Sequence, residues 1–409
     1  MFFEAKRHVQ KLKSAKQCVY GCFWNVCWVH WNLVMSFHRI HLGEDLTTVK
    51  VLWFPLLRAQ RTPKPSSNRH SPRMYKKERS IQIKSSASAL YNNLSVLPLV
   101  HKSLTYFAVI HGSLVNMLSA SADGLNFSHR QLQSKEGGMV HGTSLIMQVS
   151  WCVLPSRILL VLASQQGIQM YESDGSIMVY WHALDVPGTP PATGIVARGT
   201  AGGGGEKVTV GSSMGSIFTF NIPSKGTNVT VSGVLEEHRD PITEIACDSS
   251  ENKECVADLV TADDSGLLCI WKSGEDFKLI HKISSFRVTC SSVRMWNGII
   301  AAGYGSGQIQ IYDAATAAVH VEVNAHARWI STLDIAPGSG KLLSGAEDSF
   351  VSIWRLFRNS ESRAIEVEHL HTECVTDIQI CGGKFCDPEG SAFAVTGYDL
   401  SEIIRYVQV

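Results

Sequence analysis

Seven stretches of this chain alternate apolar and polar side chains and then stop at a large apolar residue: GSLVNM at Met117, QGIQMY at Tyr171, GSIFTF at Phe220, GLLCIW at Trp271, GQIQIY at Tyr312, FVSIW at Trp354 and SEIIRY at Tyr406. Their ends lie 54, 49, 51, 41, 42 and 52 residues apart. Alternation with period two marks a strand, because successive side chains leave a pleated backbone on opposite faces. In GQIQIYDAATAAVHVEVNAH (307 to 326), Ile309 and Ile311 share one face, and Val319, Val321 and Val323 form the returning strand. A lone hairpin of this kind does not hold together in water, so each unit must be packed by neighbours. The spacing is close to the roughly 40–45 residues of a four-stranded blade, and no helical stretch separates the strands. This predicts an all-β, seven-bladed β-propeller over residues 74–409 as one domain. The last repeat meets the C-terminus at Val409 one strand short, while SIQIK (80 to 84) precedes the first with nothing to pair with. Pairing the N-terminal strand with the last blade closes the ring and removes both open edges.

The stretch HARWISTLDIAPGSGKLLSGAEDSFVSIW, from His326 to Trp354, resembles a repeat of the WD-repeat β-propeller family. By that resemblance His326, Ser344, Asp348 and Trp354 form a hydrogen-bonded set that locks the blade. A His with both ring nitrogens engaged, a buried carboxylate, a hydroxyl and an indole N–H satisfy one another where water is excluded. His238, Thr261 and Trp271 keep three of these positions, with Ser265 where the carboxylate is expected and Asp264 one residue early. His371, Thr396 and Tyr406 show the same shift, with Asp399 early and Leu400 in the acid's place. In the repeat ending at Tyr312, His281 is read as the loop histidine, but Ala302 and Ser306 cannot complete the set. The repeats are therefore divergent. Further stretches, NNLSVL, GIQMYES, VTADDSGLLC, GIIAAGYG, VNAHAR and FAVTGYDL, are similar to one member of that family over residues 74–409.

A net charge of +1 hides an asymmetry, since residues 1–79 carry 15 Lys/Arg against 4 Asp/Glu, leaving 22 basic against 32 acidic residues in the body. An acidic body is poorly suited to gripping a phosphate backbone, so no nucleic acid is expected as a partner. Residues 1–73, basic and containing Trp and Pro, read as a disordered or loosely helical extension outside the fold. Within them YGCFWNVCWVHWNLVMSF (20 to 37) raises a signal peptide or membrane anchor, but Asn25, His30, Asn32 and Ser36 interrupt the apolar run and no small-residue cleavage site follows. Eleven cysteines, an odd number, with several in strand-like runs such as GLLCIW, indicate a reducing compartment and a cytoplasmic protein, vesicle- or membrane-associated at most. On that reading the N-x-[ST] matches at Asn93, Asn126 and Asn228 carry no glycans.

No chemistry-bearing motif fits its required context. GSSMG (211 to 215) matches G-x-S-x-G, yet it runs into the strand SIFTF and not a helix. GTAGGGGEK (199 to 207) lacks the Lys-[ST] pair of a phosphate loop, because Val208 follows Lys207, and it reads as a flexible blade connection. His369, His371, Cys374, Cys381 and Cys386 are dense, but their spacing is not that of a zinc finger or knuckle. Trp151, Trp181 and Trp329 are either inter-blade packing or recognition anchors. Trp329, beside Arg328 in the loop carrying His326, is the strongest partner-binding candidate. No metal or cofactor is expected. The chain reads as a non-enzymatic scaffold or adaptor that docks proteins or peptides on the rims and loops of the propeller, in signalling or vesicle trafficking, with self-association into a homo-oligomer as a further expectation. Two alternatives are a small-molecule or catalytic site in the central channel, against which no repeated inward Asp, Glu or His is evident, and membrane-surface attachment through residues 1–73.

Overall fold

A computed structural model describes residues 50–52, 74–121, 127–135, 144–184, 197–203, 206–248, 255–284 and 287–409. The sequence reading of residues 1–49 and 53–73 lies outside the described residues. Seven antiparallel four-stranded sheets follow one another along the chain. Their first strands are Ser95–Leu99, Ile146–Val153, Ala197–Gly203, Ile242–Cys247, Cys290–Trp296, Ile330–Ala336 and Ile380–Phe385. From blade to blade these first strands pack against one another and form the inner wall of a ring. Each of the seven residues from Met117 to Tyr406 that set the repeat lies on the third strand of its blade. The chain is a seven-bladed β-propeller.

The burial pattern follows from this arrangement. Third strands sit between neighbouring strands in the sheet and between neighbouring blades in the ring, so both faces are covered. In Gln308–Asp313 even Gln310 and Tyr312 are buried. Second strands such as Ile158–Ser164 read ILLVLAS for the same reason. The outer strand of blade four has one open edge and keeps polar residues: Lys278–Ile283 carries Lys278, His281 and Lys282. Apolar side chains from adjacent blades interlock: Val161 and Met170 of blade two pack with Val208 and Phe220 of blade three, and Ile311 of blade five with Leu333 and Trp354 of blade six. Each such fully buried side chain contributes about 1.5–3 kcal/mol.

The ring closes through the N-terminal segment. Tyr75–Lys77 is the outer strand of blade seven, antiparallel to Glu402–Gln408 with Tyr75 opposite Gln408. Ile81 and Gln82 then pair with Ile403 and Glu402. Pairing thus begins at Tyr75, upstream of the SIQIK stretch expected from the sequence. Of the N-terminal extension, the described strand Lys50–Leu52 runs parallel to the outer strand of blade five, Val319–Asn324, with Lys50 opposite Val321. The glycine-rich stretch expected to be a loop is in part a strand, since Thr200–Gly203 pair with Lys207–Val210 in blade three.

The first strands of blades two to seven share one irregularity. Each is interrupted after its first paired residues by a bulge, at Met147, Gly199, Thr243, Ser291, Ser331 and Cys381. A bulge re-aims the residues beside it and increases the local twist. Here it brings the following residues, Gln148, Glu244 and Ser292 among them, to one level of the channel.

Candidate functional site

Two blades carry a complete polar lock. In blade six His326 Nδ1 donates to Asp348 at 3.2 Å, Ser344 Oγ lies 2.8 Å from His326 Nε2, and Trp354 Nε1 donates to Ser344 Oγ at 3.0 Å. In blade four His238 Nδ1 donates to Asp263 at 2.8 Å, Thr261 Oγ1 lies 2.7 Å from Nε2, and Trp271 Nε1 donates to Thr261 at 3.0 Å. Burial raises both carboxyls, but the hydrogen bond from each histidine and those from backbone N–H groups more than offset it, so Asp348 and Asp263 end below the usual carboxylate range. These are joints between loop and sheet, and they face no open site.

The other blades solve the same problem differently. In blade five Tyr304 and Tyr312 hydroxyls lie 2.9 Å apart, and Tyr312 donates to Gln310 two residues back on its strand. Burial, reinforced by Cys290 and Glu322, pushes the Tyr312 phenol up to about 12. Blade two repeats the device, with Tyr171 donating to Gln169 at 2.8 Å and Gln169 Nε2 donating to the Lys135 carbonyl at 2.7 Å. Blade one is fastened by Asn93, fully buried, whose amide donates to the carbonyls of Ser88 and Ile110 and accepts from the Ile110 N–H at 2.8 Å.

The channel wall holds a second polar system. Glu244, Arg294, Asp334 and Lys384 stand on the first strands of blades four, five, six and seven in that order. Arg294 bridges Glu244 at 3.1 Å and Asp334 at 3.6 Å, and Lys384 reaches Asp334 at 2.8 Å. Burial of Arg294 opposes its charge, and the two carboxylates more than restore it. For Lys384 burial prevails, helped by Arg294, and the ammonium falls below its ordinary range despite Asp334 and Glu244. Glu244 also accepts from Gln148 Nε2 at 3.2 Å, from Ser292 Oγ at 3.0 Å and from the Asn92 side-chain amide.

Asn92 belongs to a segment, residues 88–94, that leaves the closure strands and crosses the channel mouth before entering blade one. Its N–H donates to the Ser331 carbonyl of blade six at 2.9 Å, and the next residue, Asn93, donates to the Cys381 carbonyl of blade seven at 3.1 Å. Asn92 takes the left-handed backbone conformation, φ 54°, which asparagine tolerates better than most residues. Tyr91 stacks on Trp329 with ring centroids 5.2 Å apart. Trp329 in turn lies flat on the blade-five turn at Gly305, where a Cβ would come within 2.6 Å of its ring. One segment thus ties blades four, five, six and seven together across the mouth.

Comparison with known proteins adds the family. The family model for WDR54 matches residues 74–409. The chain belongs to the WDR54 family. WD repeat-containing protein 54 of mouse is 55% identical over 333 residues, 81% of this chain and 99% of that protein. The human protein of the same name is 54% identical over 336 residues, 82% of this chain and 100% of that protein. Among solved structures, a chain of the mitotic checkpoint complex matches with a TM-score of 0.61 at 19% identity, covering 89% of this chain and 99% of that one, which bears on fold alone.

Within this WDR54-family propeller the sequence-expected residues divide. His326, Ser344, Asp348 and Trp354 come together. His238, Thr261 and Trp271 do too, but the acid is Asp263, with Ser265 donating to it at 2.7 Å and Asp264 instead accepting from Thr289. His371 does not meet Thr396 or Tyr406. It lies on the outer strand of blade six, Ile365–Cys374, with its ring 5.3 Å from Tyr75, while Thr396 donates to the Asn93 carbonyl and Tyr406 stacks on Phe393. His281 likewise lies on an outer strand and bonds the Ala315 carbonyl. The dense His/Cys stretch is split between that strand and blade seven, where burial pushes the Cys381 and Cys386 thiols up to about 12. Among the described residues no three His, Cys, Asp or Glu side chains are arranged to hold a metal. Trp151 donates to the Ser173 carbonyl inside the fold, Trp329 is half-buried, and Arg328 is exposed. The charged wall of the channel went unforeseen, because it is assembled one residue per blade from positions 40 to 50 residues apart.

Proposed function

We propose that this protein is a non-enzymatic scaffold that docks other proteins on the rims and loops of its propeller, in signalling or vesicle-trafficking assemblies of the cytoplasm. The observation that carries this reading is the state of the channel. Among the described residues, the ionised groups Glu244, Arg294, Asp334 and Lys384 of its wall are paired with one another, and its mouth is crossed by a segment hydrogen-bonded to four blades. Groups tied up in this way are poor acid–base catalysts, since each would have to break an ion pair to move a proton. What is left free lies on the surface: Arg328, Tyr398 and Met214 are exposed in loops and turns at the ends of the strands. An adaptor role is also the common use of WD-repeat propellers. The test is proximity labelling and mild affinity capture from cells, comparing the unaltered chain with Arg328→Glu. A partner set recovered with the unaltered chain and depleted with the variant supports docking at this rim. Recovery of no stable partner by either method overturns the scaffold reading.

A further inference from the structure

Blade five turns from its first strand to its second at Asn297 and Gly298, the one Asn-Gly pair in the chain. Both residues take the left-handed backbone conformation, φ 49° and 68°, as a two-residue hairpin turn of this kind requires. The turn is half-buried, so water reaches it. Its backbone is held from two other blades. Asp248, where the first strands of blades four and five meet in a bridge to Met295, accepts the Asn297 N–H at Oδ1 and the Gly298 N–H at Oδ2, each at 2.9 Å. The Gly298 carbonyl accepts from Arg358 Nη2 of blade six at 3.3 Å, and Asp313 fixes that guanidinium at 2.7 Å.

An Asn-Gly pair loses its side-chain amide more easily than other asparagine pairs, because a glycine leaves its own backbone nitrogen unshielded. The Gly298 nitrogen gives up its proton and attacks Cγ of Asn297, forming an N–C bond. The Cγ–Nδ2 bond breaks and ammonia leaves. Water then opens the resulting succinimide at one carbonyl or the other, giving aspartate or isoaspartate. One water is consumed and one ammonia released, with no oxidant or reductant. In the folded turn the attack is opposed at its first step. The proton of the nucleophilic nitrogen is bonded to Asp248, and an amide anion would form beside a carboxylate. Closing the ring would also rotate Asn297 out of the turn and break both bonds to Asp248.

We propose that Asn297 is a deamidation site held in check by Asp248, converted when blade four separates from the blade-five turn. The conversion is one-way, since the new carboxylate stands beside Asp248 and repels it. Nothing in this depends on the docking reading. The test incubates the full chain at neutral pH and body temperature and follows Asn297 by peptide mapping with mass spectrometry, which reads the one-dalton gain and separates isoaspartate by elution. Asn359, followed by Ser360 on blade six, is read in the same digests as a reference for general loosening. Asn297 should convert at least tenfold more slowly in the folded chain than in guanidinium. Asp248→Ala should speed it at least fivefold with Asn359 unchanged. If that variant speeds both, it has unfolded, and Asp248→Asn, which keeps the shape and loses the charge, decides by accelerating Asn297 alone. Asn297→Asp, the product, should melt lower than the unaltered chain and recover most of the loss when combined with Asp248→Asn. Equal rates folded and unfolded, or no selective acceleration in either Asp248 variant, overturns the proposal. Slower conversion in those variants would make Asp248 a base that promotes the attack and overturns it as well. A product chain that melts no lower overturns the one-way step.

Discussion

At Asp348 the balance between burial and hydrogen bonding makes a prediction with a definite sign. The folded carboxyl titrates below its ordinary value, so its contribution to stability is complete above the unfolded value of about 3.9 and is lost as pH falls through the folded one. Asp348→Asn should destabilise by about 1–3 kcal/mol near neutral pH, and the gap from the unaltered protein should close below about pH 4 in urea titrations. A gap that is constant with pH would mean the carboxylate is only a spacer. In blade five, Tyr312→Phe removes the hydroxyl that donates to Gln310 and meets Tyr304, for an expected loss of about 1 kcal/mol by the same measurement. The residue scale also shows what a sequence conceals. The His-to-Trp spacing of blade six can be read directly, but the blade-four acid sits two residues before the expected position, not one. Asp263 is the last, buried residue of its strand, whereas Asp264 and Ser265 lie in the turn that follows, with Asp264 exposed and Ser265 donating to Asp263. Where the strand ends was the missing information, and distance along the chain did not supply it. His371 misled for another reason: a histidine shortly before a strand looks like a loop residue unless the preceding outer strand is known to run to Cys374.

The seven third strands were legible as elements because each carries a buried bulky residue after an alternating run, which is a local pattern, although each strand runs on past that residue. The inner strands were harder. Arg294 in CSSVRMW, Asp334 in ISTLDIA and Lys384 in ICGGKF each look like a single charged residue on the wet face of an ordinary strand. Only closure of the ring brings them side by side, in alternating sign, and the bulge before each sets the level at which they meet. The energetics of such a row are lopsided. Removing one member leaves a buried charge unpaired, which costs about 3–5 kcal/mol, while removing a pair and filling the volume with apolar side chains is often close to neutral. Arg294→Met should therefore be severely destabilising because Glu244, nearly inaccessible, loses its cation. Glu244→Leu combined with Arg294→Met should recover a large part of that loss. Guanidinium unfolding of the two single variants and the double variant measures the coupling. Losses that simply add would show that the two residues act separately and that the wall is a set of independent contacts.

At the scale of the whole molecule the decisive joint is the one between the two ends of the described propeller. Tyr75 contributes more than backbone pairing there: its hydroxyl donates to the Gly390 carbonyl, its ring meets Phe393 edge-on at 5.1 Å, and Lys341 of blade six reaches the same carbonyl at 3.0 Å. The N–H of Val409 donates to the Met74 carbonyl at 2.8 Å, so the last described backbone bond of blade seven falls on Met74. A chain beginning at Met74 should then unfold in one cooperative step with a Tm within about 2 °C of the full chain. A chain beginning at Ser80 keeps Ile81 and Gln82 but loses Tyr75–Lys77. It exposes the third strand of blade seven as an open edge and frees the Tyr406–Phe393 stack on one side. At roughly 1.5 °C per kcal/mol for a chain of this size, the loss of a closure strand should lower Tm by about 3–6 °C and bring concentration-dependent aggregation. Calorimetry and light scattering on the three lengths decide the matter. Equal melting of the two shortened chains would place the closure at Ile81 and Gln82, and a lower Tm for the chain beginning at Met74 would make the extension a stabilising part of the propeller.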